Sequence, residues 1–125
     1  MNIVKRNEKR RKYMNELEVL LQRINLLEFH QKLMVKVLTN PNNDFYRLII
    51  ENGITEKETN AFYQLCEKIS IKWAEQKAEG YVNFHPLLKE LSALLPANLS
   101  IEEVIKACLK QGLYEPLFRE LQKYL

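Results

Sequence analysis

The stretch Tyr13-Met14-Asn15-Glu16-Leu17-Glu18-Val19-Leu20-Leu21-Gln22-Arg23-Ile24-Asn25-Leu26-Leu27-Glu28-Phe29-His30-Gln31-Lys32-Leu33-Met34-Val35-Lys36-Val37-Leu38 contains no glycine or proline, and 15 of its 26 residues are apolar. As a helix it is about 39 Å long, at 1.5 Å per residue. With Leu17 at heptad position a, the a positions are Leu17, Ile24, Gln31 and Leu38, and the d positions are Tyr13, Leu20, Leu27 and Met34. Seven of these eight are apolar, the pattern of a coiled-coil seam. Met14, Leu21 and Val35 at e widen it. A second stripe follows position c through Val19, Leu26 and Leu33, flanked by Phe29 and Val37. A lone surface helix has one apolar face. This one has two, so the sequence predicts cover on both sides: its own domain on one and a neighbouring chain on the other.

Downstream the punctuation is that of short helices. Residues 39–44 (Thr39, Asn40, Pro41, Asn42, Asn43, Asp44) form a polar break. Asp44 is placed to cap a helix from Phe45 to Glu51, with Gly53 as the left-handed residue after its end. Thr55 with Glu58, and Ser100 with Glu103, read as capping boxes. The helix after Thr55 runs to about Glu79 and stops at Gly80, with Phe62, Leu65, Cys66, Ile69 and Trp73 on its inner stripe. Asn83 is placed to cap the next helix, which carries Pro86 in its first turn and buries Leu87, Leu88, Leu91, Leu94 and Leu95. The following helix presents Ile101, Val104, Ile105, Cys108 and Leu109 and ends at Gly112. The last starts near Tyr114 and buries Leu117, Leu121 and Leu125. Tyr81-Val82-Asn83-Phe84 is the only strand candidate, too short to build a sheet. The expected fold is all-α: a long N-terminal coiled-coil-like helix, then a compact bundle of about five shorter helices. Its parts are a basic, frayed N-terminal arm (1–12), a long oligomerisation helix (13–38) and a helical bundle (44–125) packed with it as one domain.

The chain has 125 residues, 46% hydrophobic and 28% charged, an ordinary globular composition and room for one domain. Its net charge of +3 is unevenly spread. Residues 5–12 hold six basic side chains and one acidic, a net +5; the rest keeps 13 of the 19 basic and 15 of the 16 acidic residues, a net −2. Attraction to a polyanion would come mainly from the arm.

These segments contain an ordered set of motifs: Phe45-Tyr46-Arg47-Leu48-Ile49-Ile50, the glutamate-rich helix start after Gly53, Gln76-Lys77-Ala78-Glu79-Gly80-Tyr81-Val82-Asn83-Phe84, and Gln111-Gly112-Leu113-Tyr114-Glu115. Their order and spacing resemble the YhaI-like family of small bacterial proteins, a domain of unknown function, over roughly Met14 to the C-terminus. The resemblance implies a small helical cytoplasmic protein that self-associates, and it brings no assigned activity or catalytic residue. Against that family the basic stretch before Met14 looks like an addition, and Met14 is an alternative start.

The strongest functional expectation is self-association, as a homodimer or homotrimer, through Leu17, Leu20, Ile24, Leu27, Gln31, Met34 and Leu38. Some 80 residues of short helices must bury their own faces and can hardly wrap both stripes. Gln31 at an a position costs stability but specifies register if it bonds its counterpart. The alternative is a monomeric bundle with this helix at its centre. A non-catalytic interaction or accessory factor that also binds another protein follows from the first reading. A nucleic-acid-associated protein using Lys5, Arg6, Lys9, Arg10, Arg11 and Lys12 is the second functional class, against which stands a solvated charged helix start.

No cofactor or metal is expected. His30 and His85 are isolated, and structural metal sites need three or four suitable ligands. Cys66 and Cys108 sit mid-helix on apolar stripes and read as core residues of an intracellular protein. No apolar stretch reaches membrane-span length. The pair of helices around Gly112 resembles a helix-turn-helix only loosely: Arg119, Gln122 and Lys123 share the last helix with Glu115 and Glu120, which would face phosphates unfavourably. No carboxylate pair sits in an obviously apolar setting, so an enzyme is not expected.

Overall fold

A computed structural model describes residues 2–125; of the basic arm 1–12, residue 1 lies outside the described residues. Regular structure among them is entirely helical. The elements are α1 (Ile3–Thr39), α2 (Asp44–Glu51), α3 (Glu56–Ala78), α4 (His85–Ala93), α5 (Ile101–Gln111) and α6 (Glu115–Leu121), closed by a 3-10 turn at Gln122–Tyr124. This is the expected all-α architecture of one long helix and five short ones.

The long helix starts ten residues before Tyr13. Nothing between Ile3 and Lys12 breaks it, because lysine, arginine and glutamate propagate helices well. The Asn2 side chain accepts from the Val4 amide at 3.2 Å and caps it. At the other end Asn40 precedes Pro41, which disfavours helical backbone, and Asn40 is extended at φ −142°.

Left-handed glycines close three of the helices. After α2, Gly53 has φ +64°, its amide donates to Ile50, and the Ile54 amide donates to Ile49. Those bonds satisfy carbonyls that the last turn leaves open, and they fold the buried Ile54 back onto the helix. The same pair of bonds recurs at Gly80 and Gly112. At the start of α3, Thr55 and Glu58 form the predicted reciprocal capping box.

Other local expectations need correction. Asp44 does not cap α2. It is the first helical residue and pairs with Lys110 at 3.1 Å. The open amides of Phe45 and Tyr46 donate instead to Gln111 Oε1, at 2.9 and 3.4 Å, from the far end of α5. Ser100 accepts from the Glu103 amide at 3.5 Å, half of the expected box. Asn83 bonds the His85 amide at 3.1 Å, although Phe84 holds the cap position.

The core sits where α2 and α5 cross, with α3, α4 and α6 around them. Phe45 stacks on Phe62 with ring centres 5.1 Å apart. Val104, Ile105 and Cys108 of α5 are fully buried, as are Leu91, Leu117, Phe118 and Leu121. Each large apolar side chain so buried contributes about 1.5–3 kcal/mol. Phe118 is a core residue that the sequence reading omitted. Leu94 and Leu125 were expected inside and are exposed: α4 ends at Ala93, and Leu125 lies beyond the last helical turn. Trp73 is half-buried, edge-on to Phe84 with Lys77 over its ring.

α1 docks on this body through its last third only. Leu33 and His30 are buried, and Leu26, Phe29 and Val37 are half-buried. His30 Nε2–H donates to the Ile54 carbonyl at 2.8 Å, which ties α1 to the turn between α2 and α3. A carbonyl only accepts, so this nitrogen carries the proton. Val19, on the same stripe, is exposed because the helix has left the domain by that point.

Candidate functional site

Every residue of α1 from Ile3 to Asn25 is exposed. Those 23 residues make about 35 Å of helix that nothing in the chain covers. An isolated helix is marginal in water even with a favourable sequence, since most helical stability in proteins comes from packing an apolar face.

The seam lies on the uncovered side. Leu17, Leu20, Ile24, Leu27, Met34 and Leu38 are exposed large apolar residues, and Gln31 is exposed among them. Tyr13, Met14, Leu21 and Val35 continue the surface, which runs the length of the helix from Tyr13 to Leu38. All seven residues expected at the interface therefore stand together on one face, opposite the face that docks on the domain. Monomeric proteins rarely expose a contiguous apolar patch of this kind.

Lys5, Arg6, Lys9, Arg10, Arg11 and Lys12 occupy the first turns of the same helix, all exposed. Where α1 leaves the body, an open groove of about 960 Å³ runs between it and α3. Leu26 and Phe29 line its α1 side with Asn25 and Lys32; Asn60 and Gln64 line the other. It joins the seam-bearing helix to the domain surface and is lined mainly by polar side chains.

The remaining candidates are structural. Burial pushes the Cys66 thiol up to about 12, with the charge of Glu67 adding to the shift. Burial also raises Cys108, with Cys66 as the second cause. Both thiols are free, buried and held protonated, the reverse of an activated nucleophile. His85 stacks on Tyr124 at 5.8 Å. Tyr124 receives the Phe84 amide at 3.0 Å, so the link after Gly80 is held by the C-terminal turn. Tyr114 is left-handed at φ +50°, and its hydroxyl donates to the Tyr63 carbonyl at 3.3 Å. Among the described residues no three His, Cys, Asp or Glu side chains converge as a metal-ligand set, and no helix is long and apolar enough to cross a membrane.

Sequence reasoning found both apolar stripes but missed His30 as a docking contact. Its signal was position: at g it borders the c stripe across the turn, beside Leu33 and Val37. A family profile described as a protein of unknown function (DUF1878) matches residues 17–125. The match takes in the seam from Leu17 onward together with the whole helical body.

Proposed function

The chain belongs to the DUF1878 family of proteins of unknown function, and on that premise we propose that it is a self-associating, non-catalytic interaction or accessory factor, joined to a second copy through the seam of α1. The observation that carries this reading is the long apolar face on a helix whose first 23 residues are all exposed. Ten exposed apolar side chains line it on each chain: Tyr13, Met14, Leu17, Leu20, Leu21, Ile24, Leu27, Met34, Val35 and Leu38. Burying the exposed half of each gains roughly 1 kcal/mol, so about 20 kcal/mol for a pair. That is the scale needed to offset about 4–15 kcal/mol of lost translational and rotational freedom together with about 0.5–1.5 kcal/mol for each side chain ordered at the interface. Over the last third of α1 the opposite face is taken by the domain, and the seam stays exposed along its whole length. A second copy is the occupant that fits, because the heptad repeat is complementary to itself.

The non-catalytic part of the proposal is supported by the protonated, buried thiols and by the structural roles of His30 and His85. The ordered motifs from Phe45 to Glu115 further support placing the chain in the bacterial YhaI-like group, as a cytoplasmic protein.

Sedimentation of the full chain tests self-association. We expect two or three times the 14.9 kDa chain mass, and the mass of one chain when Leu20→Glu and Leu27→Glu are combined. A single-chain mass for the unaltered protein at micromolar concentration would overturn the proposal.

A further inference from the structure

We infer that the first turns of α1 are a binding site for the phosphate backbone of duplex DNA. Residues 5–12 carry six basic side chains and one acidic on a continuous exposed helix. Lys5, Lys9 and Lys12 share a face at i, i+4 and i+7, and Arg6 and Arg10 stack one turn apart beside them. Intrinsic propensity favours a helix here, but the electrostatics of this arrangement are unfavourable. Like charges one turn apart destabilise a helix, and cations are unfavourable at its positively polarised N-terminal end. The first turn holds no acidic residue, and no ion pair among the described residues involves residues 5–12. Apart from Glu8 and the Tyr13 ring, 6.0 Å from Lys9 Nζ, this positive charge has no partner within the described chain, and an external polyanion relieves it.

The shape selects the class of polyanion. A helix about 10–12 Å across matches the major groove of B-form DNA, about 12 Å wide. The major groove of A-form RNA is too narrow for side chains to read. A bilayer surface fits less well, because residues 5–12 carry no apolar side chain of their own to sink between lipid headgroups. Asn7 is the only amide side chain in the stretch, so the contacts are to phosphates and carry little sequence information.

In the heptad frame Arg6 and Arg10 continue the d and a positions of the seam. Helices paired in parallel must therefore diverge at these residues, as basic regions fork from a zipper across the groove. The inference does not require the seam, since one arm makes the contacts; self-association multiplies the arms and raises avidity.

Fluorescence anisotropy of a labelled DNA duplex of about three helical turns tests it. The full chain is compared with a variant in which Lys5, Arg6, Lys9, Arg10, Arg11 and Lys12 are all changed to Gln. With six phosphate contacts, affinity falls about 10³-fold between 50 and 200 mM salt. The glutamine variant loses binding while keeping its helix content and sedimenting mass, which separates this site from the seam. Full retention of binding by the variant overturns the inference. So does absence of binding by the full chain at about 50 mM salt. Tighter binding to the matching RNA duplex, or to phosphatidylserine vesicles, also overturns the assignment to DNA.

Discussion

Leu33 and Ile24 stand nine residues apart on α1, two and a half turns, and face opposite ways: Leu33 is 5% exposed against the domain, Ile24 49% exposed on the other side. One helix thus carries an inner apolar face and an outer one, and substitutions on the two faces should fail differently. Leu33→Ala should cost about 2–5 kcal/mol of domain stability, the usual range for a large-to-small core change. Ile24→Ala should leave the domain's own stability unchanged and make melting more dependent on protein concentration. Thermal melts of both variants at several concentrations check this. Equal, concentration-independent losses would mean that the two faces do one job.

Gln31 is the single polar residue among the eight a and d positions. Gln31→Leu should raise the melting temperature of the self-associated protein and loosen its choice of register or copy number, since a polar a position specifies both at a cost in stability. Sedimentation and melting of the variant test this together. An unchanged mass with unchanged stability would remove the register role.

The cap of α2 is supplied by Gln111 from the end of α5, through Oε1 to the Phe45 and Tyr46 amides. Gln111→Ala should cost about 1 kcal/mol, the typical value of a lost N-terminal cap. Exchange of those two amides should quicken more than that of Ile49, which lies deeper in the helix. Amide exchange by NMR reads this directly. Equal protection in variant and parent would show the cap to be idle.

The buried thiols make stability sensitive to alkali. Cys66 is raised by burial from 9.0 to about 12, and burial raises Cys108 as well. Below the unfolded value both states keep the proton, and the contribution is fully present. As pH rises from there toward the folded value, the unfolded chain ionises first, binds fewer protons and is favoured. Each thiol then withdraws about 1.4 kcal/mol per pH unit. Urea midpoints should hold between about pH 7 and 8.5 and fall steeply above about 9.5. Replacing Cys66 and Cys108 by Ala, in a protein that still folds, should flatten that fall. Equal midpoints at about pH 8 and 10.5 would contradict it.

Helix starts and stops were largely legible because their causes are local. Gly53, Gly80 and Gly112 adopt positive φ where the sequence placed helix ends, and Thr55 with Glu58 closes its box within four residues. Asp44 looked like a cap by the same logic and is not one, because a glutamine 67 positions later reaches the same amides. Phe118 shows the limit on core assignment: only the packing of α6 on α4 and α5 puts it inside, while Leu125, which continues the spacing of Leu117 and Leu121, lies beyond the last helical turn and stays exposed.

By itself the sequence determined the all-helical fold, the helix boundaries to within a few residues downstream of α1, and the two apolar stripes on α1. Backbone propensity, capping and side-chain periodicity act over one or two turns and can be read from neighbours in the chain. Tertiary structure alone decided which stripe the domain covers, that His30 is fastened to Ile54, and that the domain covers only the last third of α1. Periodicity records that a face is apolar. What covers that face depends on residues distant in sequence, whose approach is set by the packing of the whole body.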